Sequence, residues 1–246
     1  MSGYSDIEEG LRRRELFLEY LPFVELATGC CVGAEALIRW RRPACIVQPL
    51  EFLDRIEDTY VTGALAYYVL EELAHDLLAW LNETDAFLSF NVPPEIVGRG
   101  GLHYVLTQTG LWDVRHKLIA EIVERGVLDR LGIDTLNRVS EAGLRLALDD
   151  VGIAGANPVV LARCHVDMVK LDRRLVAQVH QGQPLPCGLA AIATLLQTGG
   201  ITTVAEGVES AEQVDMLLAT GVRLAQGFYF SPPLSAAAFK AFFAHA

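Results

Sequence analysis

Paired cysteines with metal-ligand spacing, runs of lysine or arginine, an early glycine-rich phosphate loop and long apolar segments are all missing from this 246-residue chain. Each absence closes a class. The five cysteines (Cys30, Cys31, Cys45, Cys164 and Cys187) are odd in number and unpaired in spacing, so reduced thiols in the cytoplasm are expected. Lys and Arg total 20 against 31 Asp and Glu, a net charge of −11, and no basic stretch forms a stripe. Long nucleic acid is not an expected partner, because such binding rests mainly on phosphate neutralisation. No apolar run reaches the roughly 20 residues that span a bilayer, and MSGYSDIEEG has no charged-then-apolar secretory pattern, so membrane insertion is not expected. No GxGxxG follows an early strand, which argues against an open dinucleotide-binding sheet. The six histidines show no ligand spacing.

What is present is a core and a rhythm. Apolar residues make up 52% of the chain and charged ones 21%, enough to bury a sizeable interior. With no linker-like tract and no internal repeat, residues 1–246 are expected to form one domain, with 1–14 as a lead-in. Eight short apolar runs read as strands: Leu16 to Val24, Cys31 to Arg39, Ala86 to Asn91, Lys117 to Val123, Leu144 to Asp149, Val166 to Leu171, Ile201 to Glu206 and Val222 to Gln226. Between them lie helical patterns. The clearest spans Val61 to Leu81, with Leu65, Val69, Leu73, Leu77 and Leu81 recurring every four positions. Asp134 to Gly143, Leu189 to Thr198 and Ser210 to Thr220 follow, and Ser210 is a good N-cap. Eight strands alternating with helices over this length predict an α/β fold, a (β/α)8 barrel of the TIM type.

Strands buried on both faces should be almost wholly apolar, yet most of these end in polar residues. Glu35 lies within the second, Asn91 ends the third, and Glu121 sits in the fourth. Asp149 and Asp150 end the fifth, Lys170 lies in the sixth, Glu206 ends the seventh and Gln226 the eighth. In a barrel all parallel strand C-termini open onto one face, so these groups would share one bowl. Glu35, Glu121, Asp149, Asp150 and Glu206 supply five carboxylates, too many to gather without cations. All-oxygen donors with no nearby His or Cys suit Mg²⁺, Mn²⁺ or Ca²⁺. The adjacent Asp149 and Asp150 suit a bridge between two ions about 3.5 to 4 Å apart, the geometry that serves in-line attack on a phosphodiester. Lys170 would orient the attacking water or balance charge.

These segments resemble the EAL-domain family of bacterial cyclic di-GMP phosphodiesterases from about Leu11 to Leu234. The matching stretches are TGCCVGAEALIRW with Glu35-Ala36-Leu37, SFNVPP with Asn91, Glu121 and Glu124, Asp149-Asp150, Lys170-Leu171-Asp172, AEGVE with Glu206 and Glu209, and Gln226-Gly227. The resemblance implies hydrolysis of cyclic di-GMP to linear pGpG by in-line attack of a metal-activated water. It implies two ions, Mg²⁺ or Mn²⁺, one held by Glu35, Asn91, Glu121 and Asp149 and the other by Asp149, Asp150 and Glu206. Lys170 would hold the water and Glu209 would support the site. Leu37, Arg39 and Gln226 would contact the dinucleotide, and Glu124 would anchor the loop after the double Asp. The family also implies a first strand antiparallel to its neighbours, a homodimer in many members, and sensor or cyclase domains where the unit belongs to a longer protein.

Three departures from the family pattern stand out. The first-strand Gln-Pro pair is Leu21-Pro22 here, and the threonine of the Glu-x-x-Glu segment is Val123. The loop that reads Asp-Asp-Phe-Gly-Thr-Gly-aromatic-Ser-Ser in active members runs from Val151 to Asn157 as VGIAGAN. These changes leave a second reading: a cyclic di-GMP receptor, or a conditionally active domain. A third is an unrelated metal-dependent barrel enzyme such as a lyase or aldolase.

Overall fold

A computed structural model describes residues 4–57, 59–97, 100–123, 130–152, 163–180, 186, 189, 192 and 200–245. Its strands are β1 (Leu16–Glu25), β2 (Cys31–Arg41), β3 (Ile46–Val47), β4 (Phe87–Asn91), β5 (Leu118–Val123), β6 (Arg145–Val151), β7 (Met168–Leu171), β8 (Thr202–Ala205) and β9 (Leu224–Ala225). The sheet runs β1-β9-β8-β7-β6-β5-β4-β2-β3, and β1 also pairs with β2. That last pairing closes eight strands into a barrel and leaves β3 as a short flap on β2. All eight expected strands are present; β2 and β4 through β9 run parallel, β3 pairs antiparallel with β2 outside the barrel, and within the barrel β1 alone is antiparallel. This strand runs antiparallel to both neighbours, with Leu21 opposite Glu35 and Val24 opposite Ala225. The expected (β/α)8 fold with an antiparallel first strand is therefore what the chain adopts.

Among the described residues the helices are α1 (Ser5–Arg12), α2 (Tyr60–Glu83), α3 (Pro94–Val97), α4 (Gly101–Gln108), α5 (Arg130–Glu141), α6 (Arg173–Val176), α7 (Ala211–Ala219) and α8 (Ala236–His245). Helix α2 forms where the four-residue apolar spacing predicts, and Val61, Leu65, Leu73, Leu77 and Leu81 face the core. Thr59 caps it by accepting from the Val61 N–H. Ser210 caps α7 in the same way through Gln213 N–H. The helix expected over Leu189 to Thr198 falls mostly outside the described residues; Leu189 and Ile192 are helical and buried. Helix α8 pins β1 to α2. Phe239 stacks on Tyr20 at 5.9 Å and meets Trp80 edge-on at 5.3 Å, while the Tyr20 hydroxyl donates to Asp76 Oδ2 at 2.8 Å.

Alternation along the strands sorts the residues into two cores. One face of each strand packs on the helices; Leu18 and Tyr20 of β1 face outward beside Ile38 and Ala36 of β2. The other face fills the barrel. Phe23, Ile119, Ala147, Met168, Val204 and Leu224 form an apolar plug. Glu121, Asp149, Lys170, Glu206 and Gln226 each follow a plug residue by two positions. A two-residue period therefore lifts each of them one layer above the plug, at the C-terminal mouth.

Glycines in the recognised segments permit close backbone approach. A Cβ on Gly33 would stand 2.3 Å from the Phe87 carbonyl, and one on Gly227 would stand 2.2 Å from that of Val208. Without them β2 could not lie against β4, nor the end of β9 against the turn after β8.

Candidate active site

Lys170 is the centre of the mouth. Its Nζ lies 2.8 Å from Glu206 Oε1, 2.9 Å from Glu121 Oε2, 3.0 Å from Glu35 Oε2 and 3.3 Å from Asp149 Oδ1. These groups come from β2, β5, β6, β7 and the turn after β8, so the site exists only when the barrel closes. Lys170 is 1% exposed and Glu121 fully buried. One ammonium cannot satisfy four carboxylates, and Glu121 Oε1 is buried with no partner among the described residues.

The electrostatics record that deficit. Burial opposes charge on Lys170, but Glu121, Glu206, Glu35 and Asp149 outweigh it and hold the ammonium well above the usual lysine range. Burial, then the Glu35 charge, pushes the Glu121 carboxyl well up despite Lys170. Burial also pushes Glu206 up to about 7; Lys170 counters it and Asp149 adds to it. A site that raises its own carboxyls is short of positive charge.

Asp149 and Asp150 are neighbours in sequence, so a regular strand would send them to opposite faces. The pairing of β6 with β7 instead skips from Leu148–Val169 to Val151–Leu171, a bulge with one extra residue on β6. Asp150 takes a left-handed φ of 58°, a conformation Asp tolerates better than most residues. Its N–H donates to Asp149 Oδ1 at 2.9 Å. The result is that ligand oxygens of Asp149, Asp150 and Glu206 all lie within 4.8 Å of one another. The orphaned Glu121 oxygen and this all-oxygen group fit a divalent ion.

The remaining candidates sit around this centre. Asn91 is at the end of β4, with Nδ2 3.4 Å from Glu35 Oε1. Leu37 and Arg39 follow Glu35 at steps of two on β2, hence on the same face. Arg39 is buried; its Nε donates to Glu19 Oε2 at 2.8 Å and its Nη1 to the Ile38 carbonyl at 2.9 Å. Gln226 is 1% exposed, donates from Nε2 to the Leu21 carbonyl at 3.0 Å, and buries Oε1 without a partner among the described residues. Glu209 is set apart: it is exposed just before α7, and its N–H donates to Gln213 Oε1. Glu124 and residues 153–157 lie outside the described residues. Glu19 was not a candidate from sequence, since an acid alternating with apolar residues on a strand reads as solvent-facing.

The match to the EAL domain model runs over residues 5–233, and the chain belongs to this family. A signalling protein of Caulobacter vibrioides is 30% identical over 235 residues, covering 93% of this chain and 29% of the relative. An uncharacterised protein of Mycobacterium tuberculosis is 32% identical over 238 residues, covering 91% of this chain and 77% of the relative. Among solved structures, the PaMucR phosphodiesterase in complex with c-di-GMP matches with a TM-score of 0.87 at 26% identity, covering 97% of this chain and all of that one. EAL domains are generally c-di-GMP phosphodiesterases that use divalent metals. Among the described residues no helix is long and apolar enough to cross a membrane.

Proposed function

We propose that this chain is a cyclic di-GMP phosphodiesterase that requires Mg²⁺ or Mn²⁺ and releases linear pGpG. The observation that carries the reading is Lys170 enclosed by Glu35, Glu121, Asp149 and Glu206 at 2.8–3.3 Å, with Asp150 beside them. Glu35, Asn91, Glu121 and Asp149 would hold one ion, and Asp149, Asp150 and Glu206 the other. When bound, such ions supply Lewis-acid activation of a water and neutralise charge on the phosphoryl oxygens. Lys170 would donate to the attacking water and keep it in line with the scissile bond. Arg39 would donate to a phosphate and Gln226 to the nucleotide, with Leu37 as an apolar wall between them. Glu209 would support the site from the turn before α7, and Glu124 would anchor the loop that follows Asp150. Residues 1–246 would act as one barrel unit in the cytoplasm, alone or as a homodimer, or under sensor or cyclase domains in a longer chain.

Incubation with cyclic di-GMP and Mg²⁺ or Mn²⁺, followed by chromatography of the nucleotides, tests the reading. Formation of pGpG that stops with EDTA is expected. Tight binding without turnover at either metal would instead favour a receptor. One observation supports that second reading: Leu21 stands opposite Glu35 and gives Gln226 only a main-chain carbonyl, with no side-chain amide of its own.

A further inference from the structure

Glu19 sits on β1 opposite Leu37, and Arg39 sits two residues further along β2 opposite Phe17. The two side chains therefore meet on the diagonal, which suits long side chains on a shared sheet face. Arg39 lies on the face that carries Glu35, so the pair stands on the mouth side of the barrel. Arg39 is 7% exposed, and its Nε is taken by Glu19 Oε2 at 2.8 Å. Its Nη1 is tied to the Ile38 carbonyl at 2.9 Å. With Nε and one Nη1 hydrogen engaged, the guanidinium plane is fixed, and the other Nη hydrogens have no partner among the described residues. Glu19 is more open than Arg39, with a quarter of its side chain exposed.

We propose that Glu19 is a positioning residue for ligand binding: it holds the Arg39 guanidinium by its Nε edge so that the free Nη edge meets a phosphate of the cyclic dinucleotide. This rests on the reading of Arg39 as a ligand contact. The arrangement has a second consequence. A carboxylate beside the phosphate-binding arginine opposes an anionic ligand, so positioning and charge act in opposite directions and can be separated by substitution. Glu19→Gln keeps an acceptor for Nε and removes the charge. Glu19→Ala removes both, leaving the arginine free to swing.

The test measures cyclic di-GMP affinity by calorimetry in Ca²⁺, Mn²⁺ affinity in the absence of nucleotide, and KM and kcat in Mn²⁺. Glu19→Ala is expected to weaken nucleotide binding about tenfold and to raise KM by a similar factor with kcat little changed, since a charge-assisted contact loses its orientation. Glu19→Gln is expected to bind as tightly as the parent or tighter, which shows rescue by an acceptor alone. Mn²⁺ affinity should be the same in all three. If Glu19→Ala binds as tightly as the parent, or tighter, Glu19 does not position Arg39 and the proposal fails. If Glu19→Gln is as weak as Glu19→Ala, charge rather than position is what matters, and the proposal fails in that way. Arg39→Ala is the control: should it bind cyclic di-GMP like the parent, the assignment of Arg39 as a ligand contact falls, whatever Glu19 does.

Discussion

The two halves of the barrel mouth are built on opposite economies of charge. On the side of β5, β6, β7 and the turn after β8, carboxylates crowd the buried Lys170, and Glu121 Oε1 has no partner among the described residues. On the side of β1, the end of β2 and β9, charge is balanced within the protein: Arg39 is matched by Glu19, and Gln226 by the Leu21 carbonyl. The first half has a deficit that only cations can fill. The second half carries no such charge deficit: what it leaves without a partner among the described residues is the neutral Gln226 Oε1 and the outer Nη hydrogens of Arg39. The family's amide at position 21 is missing from the balanced half, whereas every carboxylate that the resemblance implies for the deficient half is present.

The largest effect comes from breaking the deficient half. If the proposed function holds, replacing Glu35 with Ala should lower pGpG formation by on the order of a thousandfold or more, measured under single-turnover conditions, because a proposed metal ligand and a Lys170 partner are lost together. Surviving activity would mean the site is assigned wrongly. Next is Lys170→Met, which leaves buried carboxylates with no counterion. Unfolding in urea should show the metal-free variant destabilised by about 3–5 kcal/mol. Added Mn²⁺ should recover part of that loss if the carboxylates hold ions.

The pH dependence sharpens the same contrast. Glu206 is held up to about 7 in the fold against an ordinary value of 4.5, and Glu121 is raised in the same direction. A carboxyl raised by folding binds its proton more tightly in the native state. Its stabilisation is present below pH 4.5 and is lost as pH climbs through about 7. The metal-free protein should therefore lose stability between those limits, and Glu206→Gln should flatten the slope in thermal melts. Metal affinity should rise over the same interval, since carboxyls that hold an ion must first deprotonate.

The smallest effect belongs to the half whose charges balance. Leu21→Gln restores an amide opposite Glu35 and should tighten cyclic di-GMP binding severalfold, about 1 kcal/mol for one added hydrogen bond. Metal affinity should not change. If Leu21→Gln altered Mn²⁺ binding as much as nucleotide binding, the two halves would not be separable.

Much of this was legible in the sequence, for a physical reason. A plug residue followed two positions later by a polar one is a pattern that strand alternation alone produces, and Ile119–Glu121, Ala147–Asp149 and Met168–Lys170 carry it openly. The closed fold followed from the same runs and from the helix spacing of α2. What stayed hidden depends on geometry that no periodicity encodes. The direction of β1 is set by its partners, and only the family resemblance, not the pattern of residues, pointed to it. The bulge that brings Asp149 and Asp150 to one face needs a left-handed φ that the pair of aspartates does not announce. Strand β3, at two residues, is too short to carry a pattern. Glu19 passes for a surface acid until β1 is laid antiparallel against β2, when it meets Arg39.

A titration of the metal-free protein with Mn²⁺, read by calorimetry beside Asp149→Ala and Leu21→Gln, tests the central claim most directly. The deficient half predicts saturable binding of up to two ions per chain in the parent, unchanged in Leu21→Gln and largely lost in Asp149→Ala. Absence of Mn²⁺ binding in the parent, or equal binding in Asp149→Ala, would contradict it.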